Sequence, residues 1–471
     1  MNFPGFSSGS IRRAWTPAAL AALTLLLAAC GGGGSDAPST GGTPTLSAAA
    51  QLGQKIFADK ALSASGQQSC ASCHVAASAF AEDASASGVD RGSPVPLGGL
   101  AMDQAGFRNT PSLMYAALTP AFYIDSDGGP NGGFFRDGRA ATLADQAQLP
   151  FTTSFEMANA DAAAVVALLK TRPYVADFQA LYGSDVLADP ATALARVGQA
   201  LAAFETEDAG FAPFSSKYDY VLKGQATLTA QEQRGLGLFN NATKGNCSAC
   251  HPSTSSDGRT PPMFTDYSYD NLGIPRNPLI PANGASPAGY VPLDGTDGVQ
   301  PYYDLGVCGP FREQTVDFFS NCGQFKVPTL RNIAATAPYF HNGRFTTLVD
   351  AIGFYVRRDT NPEEWYPANP DGTVTKFDDL PAIYGGQFVV TPGVVGSDAG
   401  YLGNVNTSEI PYNRVIGDTP ALSPSEINDV ITFLCTLTDG YDPAHPGAQV
   451  LPAQCQAAAA TAASSRNSES R

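Results

Sequence analysis

Two pentapeptides constrain this chain more than anything else in it: Cys70-Ala-Ser-Cys73-His74 and Cys247-Ser-Ala-Cys250-His251, each a C-x-x-C-H. That spacing lets two thiols on one turn add to the two vinyl groups of a haem, while the adjacent histidine turns under the ring to ligate the iron. Each string therefore reads as the attachment site of one covalent c-type haem, with His74 and His251 as iron ligands. A zinc knuckle or a pair of disulfides draws on the same residue types. Zinc sites, however, usually combine two separated ligand pairs, and here each string is complete with its own histidine, twice over.

The amino terminus bears on the compartment. Arg12 and Arg13 precede an apolar run from Ala18 to Ala29, too short to span a bilayer and shaped like a signal-peptide core. It ends in Leu27-Ala28-Ala29-Cys30, which resembles a lipoprotein signal box with Cys30 as the diacylated first mature residue; a plain secretory signal is the alternative. Either reading places the mature chain in the periplasm, and the first anchors it by lipid to the outer membrane. Residues 31–45 form a Gly/Ser/Thr/Pro tether unable to bury enough surface to fold. With 43 acidic against 27 basic residues, the net charge of −16 argues against nucleic acid and is compatible with a basic protein partner.

Of the nine cysteines, Cys30 and the four in the haem motifs are accounted for, leaving Cys308, Cys322, Cys435 and Cys455. In an oxidising compartment the simplest pairing joins Cys308 to Cys322 and Cys435 to Cys455, each closing a short loop, although the sequence leaves the other pairings open.

Along the chain one plan occurs twice: a helix, a haem motif, a Gly/Pro-rich stretch and an amphipathic helix. In the first half, helices are expected around Ala48 to Asp59, Ala160 to Leu169 and Ala193 to Phe204. In the second, Thr229-Ala-Gln-Glu232 is a capping box, and Ser423, Pro424 and Glu426 open a helix with Ile427, Val430, Ile431, Leu434 and Leu437 in one stripe. Strand alternation is scarce, so the fold class is all-α, with a linker near Phe211 to Gly224. Two stretches, Pro275 to Phe325 and Asp359 to Pro420, lack helical periodicity and read as ordered loop insertions in the second domain. From Ala457 the Ala/Ser-rich tail is expected to fray.

Phe325-Lys-Val-Pro-Thr-Leu-Arg-Asn332, followed by Thr336-Ala-Pro-Tyr-Phe-His-Asn-Gly343, resembles the signature of the bacterial di-haem cytochrome c peroxidase and MauG superfamily. Arg108-Asn-Thr-Pro-Ser112 and Phe135-Arg-Asp-Gly-Arg139 are similar to its first-domain signatures. The resemblance implies two cytochrome c-like domains facing each other: an N-terminal one at residues 46–224 with a peroxidatic haem, and a C-terminal one at 225–445 with an electron-transfer haem, then a tail at 446–471. It also implies a calcium ion between them, which in relatives is held by residues that look like Asn109, Thr336 and Pro338 here.

Carried over onto this sequence, the family's distal catalytic pair falls on Gln146 and Glu156. Peroxide cleavage needs a base that takes a proton from one oxygen and returns it to the leaving one, so Glu156 is the expected shuttle and Gln146 the orienting group. No histidine lies between His74 and His251 to block the first haem; Met102, Met114 and Met157 are the substitute ligands on offer, and an open site is the simpler expectation. His341 matches the family motif, and His445, between prolines, reads as surface.

Two departures matter. Arg136 stands where most relatives have a Trp between the haems, and Tyr355 stands where typical peroxidases have the Met ligand of the second haem and MauG-like members have Tyr. The expected function is a periplasmic di-haem peroxidase reducing hydrogen peroxide with electrons from a small cytochrome c or cupredoxin. The rivals are a MauG-like enzyme oxidising Trp or Tyr of a partner protein, and a non-catalytic di-haem electron carrier.

Overall fold

Among the residues described, the α-helices are, in order, α1 (Ala48–Ala58), α2 (Cys70–Cys73), α3 (Leu143–Gln146), α4 (Ala162–Leu169), α5 (Val175–Tyr182), α6 (Pro190–Glu207), α7 (Lys217–Leu222), α8 (Ala230–Asn240), α9 (Leu348–Arg357) and α10 (Pro424–Cys435). The expected start signals operate as written: Thr229 and Ser423 both close capping boxes, with Glu232 and Glu426 reaching back to the cap amides. Among the described residues the strands are two or three residues long and pair as four antiparallel two-stranded ribbons, so helices dominate. The structure is a computed structural model describing residues 45–82, 94–284, 303–309, 312 and 319–456. The signal segment, Cys30, all but the last residue of the tether, the tail from Ala457 and the middle of the Pro275 to Phe325 insertion lie outside the described residues.

Two helix crossings organise the fold, and a glycine permits each. In the first half α1 crosses α6 at Gly53, where an added Cβ would lie 2.0 Å from the Ala200 carbonyl oxygen. In the second, α8 crosses α10 at Gly235, where it would lie 2.0 Å from the carbonyl oxygen of Asp429. One turn beyond each glycine a buried phenylalanine, Phe57 or Phe239, enters the apolar cluster of its own half. Leu52, Ile56, Val197, Leu201 and Phe204 fill the first cluster. Ile427, Val430, Ile431 and Leu434 of the predicted stripe fill the second, joined by Trp365, Tyr366, Phe377 and Leu380 from the Asp359 to Pro420 insertion, which is thus part of the core.

The expected linker near Phe211 to Gly224 is instead firmly built in. Phe211 is buried in the first cluster, and Ser216 caps α7 with Asp219 reaching back to its amide. Asp219 also accepts from both terminal nitrogens of Arg331, at 3.0 and 2.9 Å, in an ion pair with both side chains fully buried. Pairing across more than a hundred residues leaves no local sequence signal, which is why polar content there reads as linker.

A repeat that periodicity does not reveal joins the halves. Phe134 to Leu143 and Tyr339 to Leu348 form the same loop: bridges Phe134–Ala140 and Tyr339–Phe345, left-handed Phe135 (φ 62°) and Phe340 (φ 65°), then Thr142 and Thr347 capping α3 and α9. Each loop accepts a backbone bond from the other half: Lys326 N–H donates to Arg136 O (2.8 Å) and Asn109 N–H to His341 O (2.9 Å). Arg108 adds a two-pronged contact to Asp304 at 2.6 and 2.7 Å, and the Tyr115 hydroxyl donates to Asp439 at 2.7 Å. Disulfides join Cys308 to Cys322 and Cys435 to Cys455, the simplest of the pairings open to the sequence.

Helix propensity favours Gly53→Ala by about 0.5–1 kcal/mol, whereas forcing a methyl into a filled crossing costs about 1–3 kcal/mol. Packing is expected to win, and chemical denaturation of Gly53→Ala should show a net loss of stability; a gain would mean the crossing has slack.

Candidate active site

Each C-x-x-C-H motif forms a short helical turn of its own, and its first cysteine packs against the apolar cluster of its half. Cys70 and Cys73 lie on the single turn of α2, whose first amides are satisfied by Ser69 and Ser72, and His74 follows as the cap. Its Nδ1 lies 3.0 Å from the carbonyl oxygen of Phe80, and the Nδ1 of His251 lies 2.8 Å from that of Phe264. A carbonyl only accepts, so Nδ1 carries the proton and Nε2 keeps its lone pair for the cavity. Burial pushes the His74 imidazole down to about 4, which keeps it neutral. Phe80 and Phe264 both take left-handed backbone, φ 51° and 52°, to aim these carbonyls. Sequence reasoning missed both, since a backbone acceptor has no side-chain signature.

One cavity of about 500 Å³ runs between the two motifs. Both C-x-x-C-H strings line it, as do Gln146, Glu156, Tyr355, Asn109, Thr336 and Pro338, so every expected site residue faces the same space. None of the four motif cysteines is in a disulfide. Among the described residues no three His, Cys, Asp or Glu side chains gather as a metal cluster. Paired thiols beside a histidine held by its Nδ1, on a largely apolar cavity, fit a covalently attached haem in each half.

In the first half the cavity is lined by Gln146, the last residue of α3, and by Glu156, which follows the turn at Thr153. Burial pushes the Glu156 carboxyl up to about 7, against the opposing pull of Arg139. Met114 and Met157 also line this space, whereas Met102 lies at Ser65, its sulfur 3.6 Å from the hydroxyl. A further acid was not foreseen: Glu205 of α6 faces the cavity with Oε2 unbonded, and burial raises it to about 8. It stands in an otherwise regular apolar face, where a single acid reads as an ordinary helix residue.

In the second half α9 presents Tyr355 to the cavity. Burial holds its hydroxyl far above the usual phenol range, helped by Cys250 and Asp270. Tyr412 stands beside it, ring centroids 5.9 Å apart, and was not singled out among the many tyrosines of a loop-rich insertion. His341 is buried and stacked on Phe325 at 3.7 Å; its Nε2, without a hydrogen-bond partner among the described residues, faces the Asp379 carboxylate at 3.7 Å. His445 is exposed beside Asp442, and Trp365 packs edge-on against Phe354 under the Arg357 guanidinium.

The expected calcium donors come together in part. The Asn109 side-chain amide donates to Pro338 O at 2.5 Å, and Thr336 lies on the same wall. The amide oxygen of Asn109, however, accepts from Arg136 Nη2, while Arg136 Nε lies 3.4 Å from the Asn109 carbonyl.

Residues 47–227 match the family described as di-haem cytochrome c peroxidase. The methylamine utilization protein MauG of Paracoccus denitrificans is 39% identical over 339 residues, spanning 72% of this chain and 80% of that protein. The cytochrome c551 peroxidase of Pseudomonas aeruginosa is 28% identical, over 66% of this chain and 72% of its own. Among solved structures, the diheme peroxidase BthA of Burkholderia thailandensis superposes with a TM-score of 0.70 at 35% identity, covering 86% of this chain and 89% of that one, and a variant of it with one tyrosine changed to methionine has also been solved. The chain belongs to the di-haem cytochrome c peroxidase and MauG family.

Proposed function

We propose that this protein is a periplasmic di-haem oxidoreductase that consumes hydrogen peroxide at its first-half site. The observation that carries the reading is the buried Glu156 carboxyl, raised to about 7, on the wall of the cavity that Cys70, Cys73 and His74 share. Bound to those three residues, a haem would supply the two-electron reduction of peroxide that no side chain here performs. Glu156 takes the proton from incoming peroxide at its carboxylate oxygen and returns it to the oxygen that leaves as water; a group titrating near the working pH does both efficiently. Gln146 orients the peroxide by hydrogen bonding, and the apolar wall around Met114, Met157 and Leu201 excludes bulk water. On this reading the first site is open without prior reduction, since no histidine lies between His74 and His251; Met114 and Met157 on the cavity wall are the ligands that would close it. A passive electron carrier has no use for a buried acid in this position.

Tyr355 favours a second reading of the same centre. Electrons from a small cytochrome c or cupredoxin make the protein a peroxidase; a phenol facing the second haem site suits a MauG-like enzyme that draws them from Trp or Tyr of a partner protein. Phenolate is a hard anionic donor that favours ferric iron, and thioether sulfur favours ferrous, so the group at position 355 sets which reductants reach that haem. The lipid anchor at Cys30 belongs to the same proposal.

Replacing Glu156 by Gln is expected to slow reaction with peroxide roughly a hundredfold or more while leaving both haem spectra in place. Because the carboxylate is the working form, the wild-type rate should rise with pH through about 7 and the mutant rate should not. Stopped-flow mixing across pH checks both; an unchanged mutant rate moves the proton shuttle elsewhere.

Tyr355→Met is expected to raise the reduction potential of the second haem, and Tyr412→Phe to leave it nearly unmoved. Potentiometry of the three proteins decides, and a shift in Tyr412→Phe alone would transfer the ligand role to Tyr412.

A further inference from the structure

We propose that Arg136 is a built-in cation standing in place of calcium between the two halves, so that the haem-loaded protein holds them together without a divalent metal. Two of the three expected metal donors, Asn109 and Pro338, are already engaged by N–H groups. Arg136 Nη2 donates to the amide oxygen of Asn109, Arg136 Nε faces the Asn109 carbonyl oxygen at 3.4 Å, and the Asn109 amide nitrogen donates to Pro338 O at 2.5 Å. Calcium needs six to eight oxygen ligands, usually with carboxylates among them. The nearby carboxylates are committed elsewhere, Asp304 to Arg108 and Asp137 to Arg108 and Arg139.

Charge points the same way. Arg136 is enclosed beside Arg108, and Lys326, whose ammonium donates to Gly133 O, lines the same cavity. Neither Arg136 nor Lys326 has a carboxylate partner among the described residues. A guanidinium keeps its proton, so a dication here would meet a fixed positive charge at contact range, beside an Asn109 amide oxygen that already accepts from it. The anions that suit such a cluster are the carboxylates every haem carries on its rim. The position itself is structural: Arg136 is the counterpart of His341 in the repeated loop, and its carbonyl accepts the Lys326 amide that ties the halves. A charge placed there acts where a bridging metal would.

The test uses the haem-loaded protein, exchanged into metal-free buffer. Elemental analysis is expected to find calcium well below one per chain, and EGTA or added calcium should leave the haem absorption and EPR spectra and the thermal midpoint unchanged. One retained calcium per chain, or a chelator-induced change in spectrum or midpoint, overturns the proposal. Arg136→Gln removes the cation and frees Asn109; its midpoint in metal-free buffer should fall, and Arg136→Lys, which keeps the charge, should restore it. An Arg136→Gln protein as stable as wild type without metal overturns the proposal as well. If Arg136→Gln does not accumulate, the elemental and chelator results on wild type and on Arg136→Lys decide alone.

Discussion

Two exchanged backbone hydrogen bonds, Lys326 N–H to Arg136 O and Asn109 N–H to His341 O, hold the place on which the rest of the structure depends. Because the acceptors are equivalent residues of a repeated loop, the exchange is reciprocal, and it brings the walls carrying the two C-x-x-C-H strings onto one cavity. The surrounding contacts have the same logic. Arg108 and Tyr115 reach from the first half to Asp304 and Asp439 in the second, so signature residues that look like isolated motifs in the chain are parts of one junction.

Charge inside the protein is handled in two opposite ways. The Arg331–Asp219 pair is fully satisfied: the guanidinium also donates to Pro262 O at 2.8 Å, and the carboxylate accepts from Ser216. Removing one member of such a pair costs about 3–5 kcal/mol, because the other is left buried and uncompensated. Along the cavity, by contrast, Glu156 and Glu205 form no ion pair among the described residues; burial lifts both toward neutrality, with Arg139 opposing it at Glu156. The protein is thus locked where charges are paired and chemically responsive where they are not, since a carboxyl group exchanges protons near neutral pH only when its ionisation is displaced upward.

What the sequence discloses is local. Capping boxes at Thr229 and Ser423, the stripe on α10 and the short-loop disulfides are all encoded within a short stretch of chain, and they stand as read. What it conceals is long-range or made of backbone. The carbonyls of Phe80 and Phe264 behind the motif histidines, the glycine crossings at Gly53 and Gly235, the Asp219–Arg331 pair within a supposed linker and the Arg136–Asn109 contact all depend on partners brought together by folding. Tyr412 and Glu205 were hidden differently: each is a common residue in an ordinary setting until the cavity gives it a neighbour.

The placing of the four motif thiols has a consequence for biogenesis. Cys70 packs against the first apolar cluster and Cys247 against the second, and all four line the shared cavity half-buried. A rigid macrocycle must meet both thiols of a pair in one geometry, and the two pairs face a single cavity. Each ring then becomes part of the packing of its own half, so cofactor attachment and folding are one coupled problem rather than two.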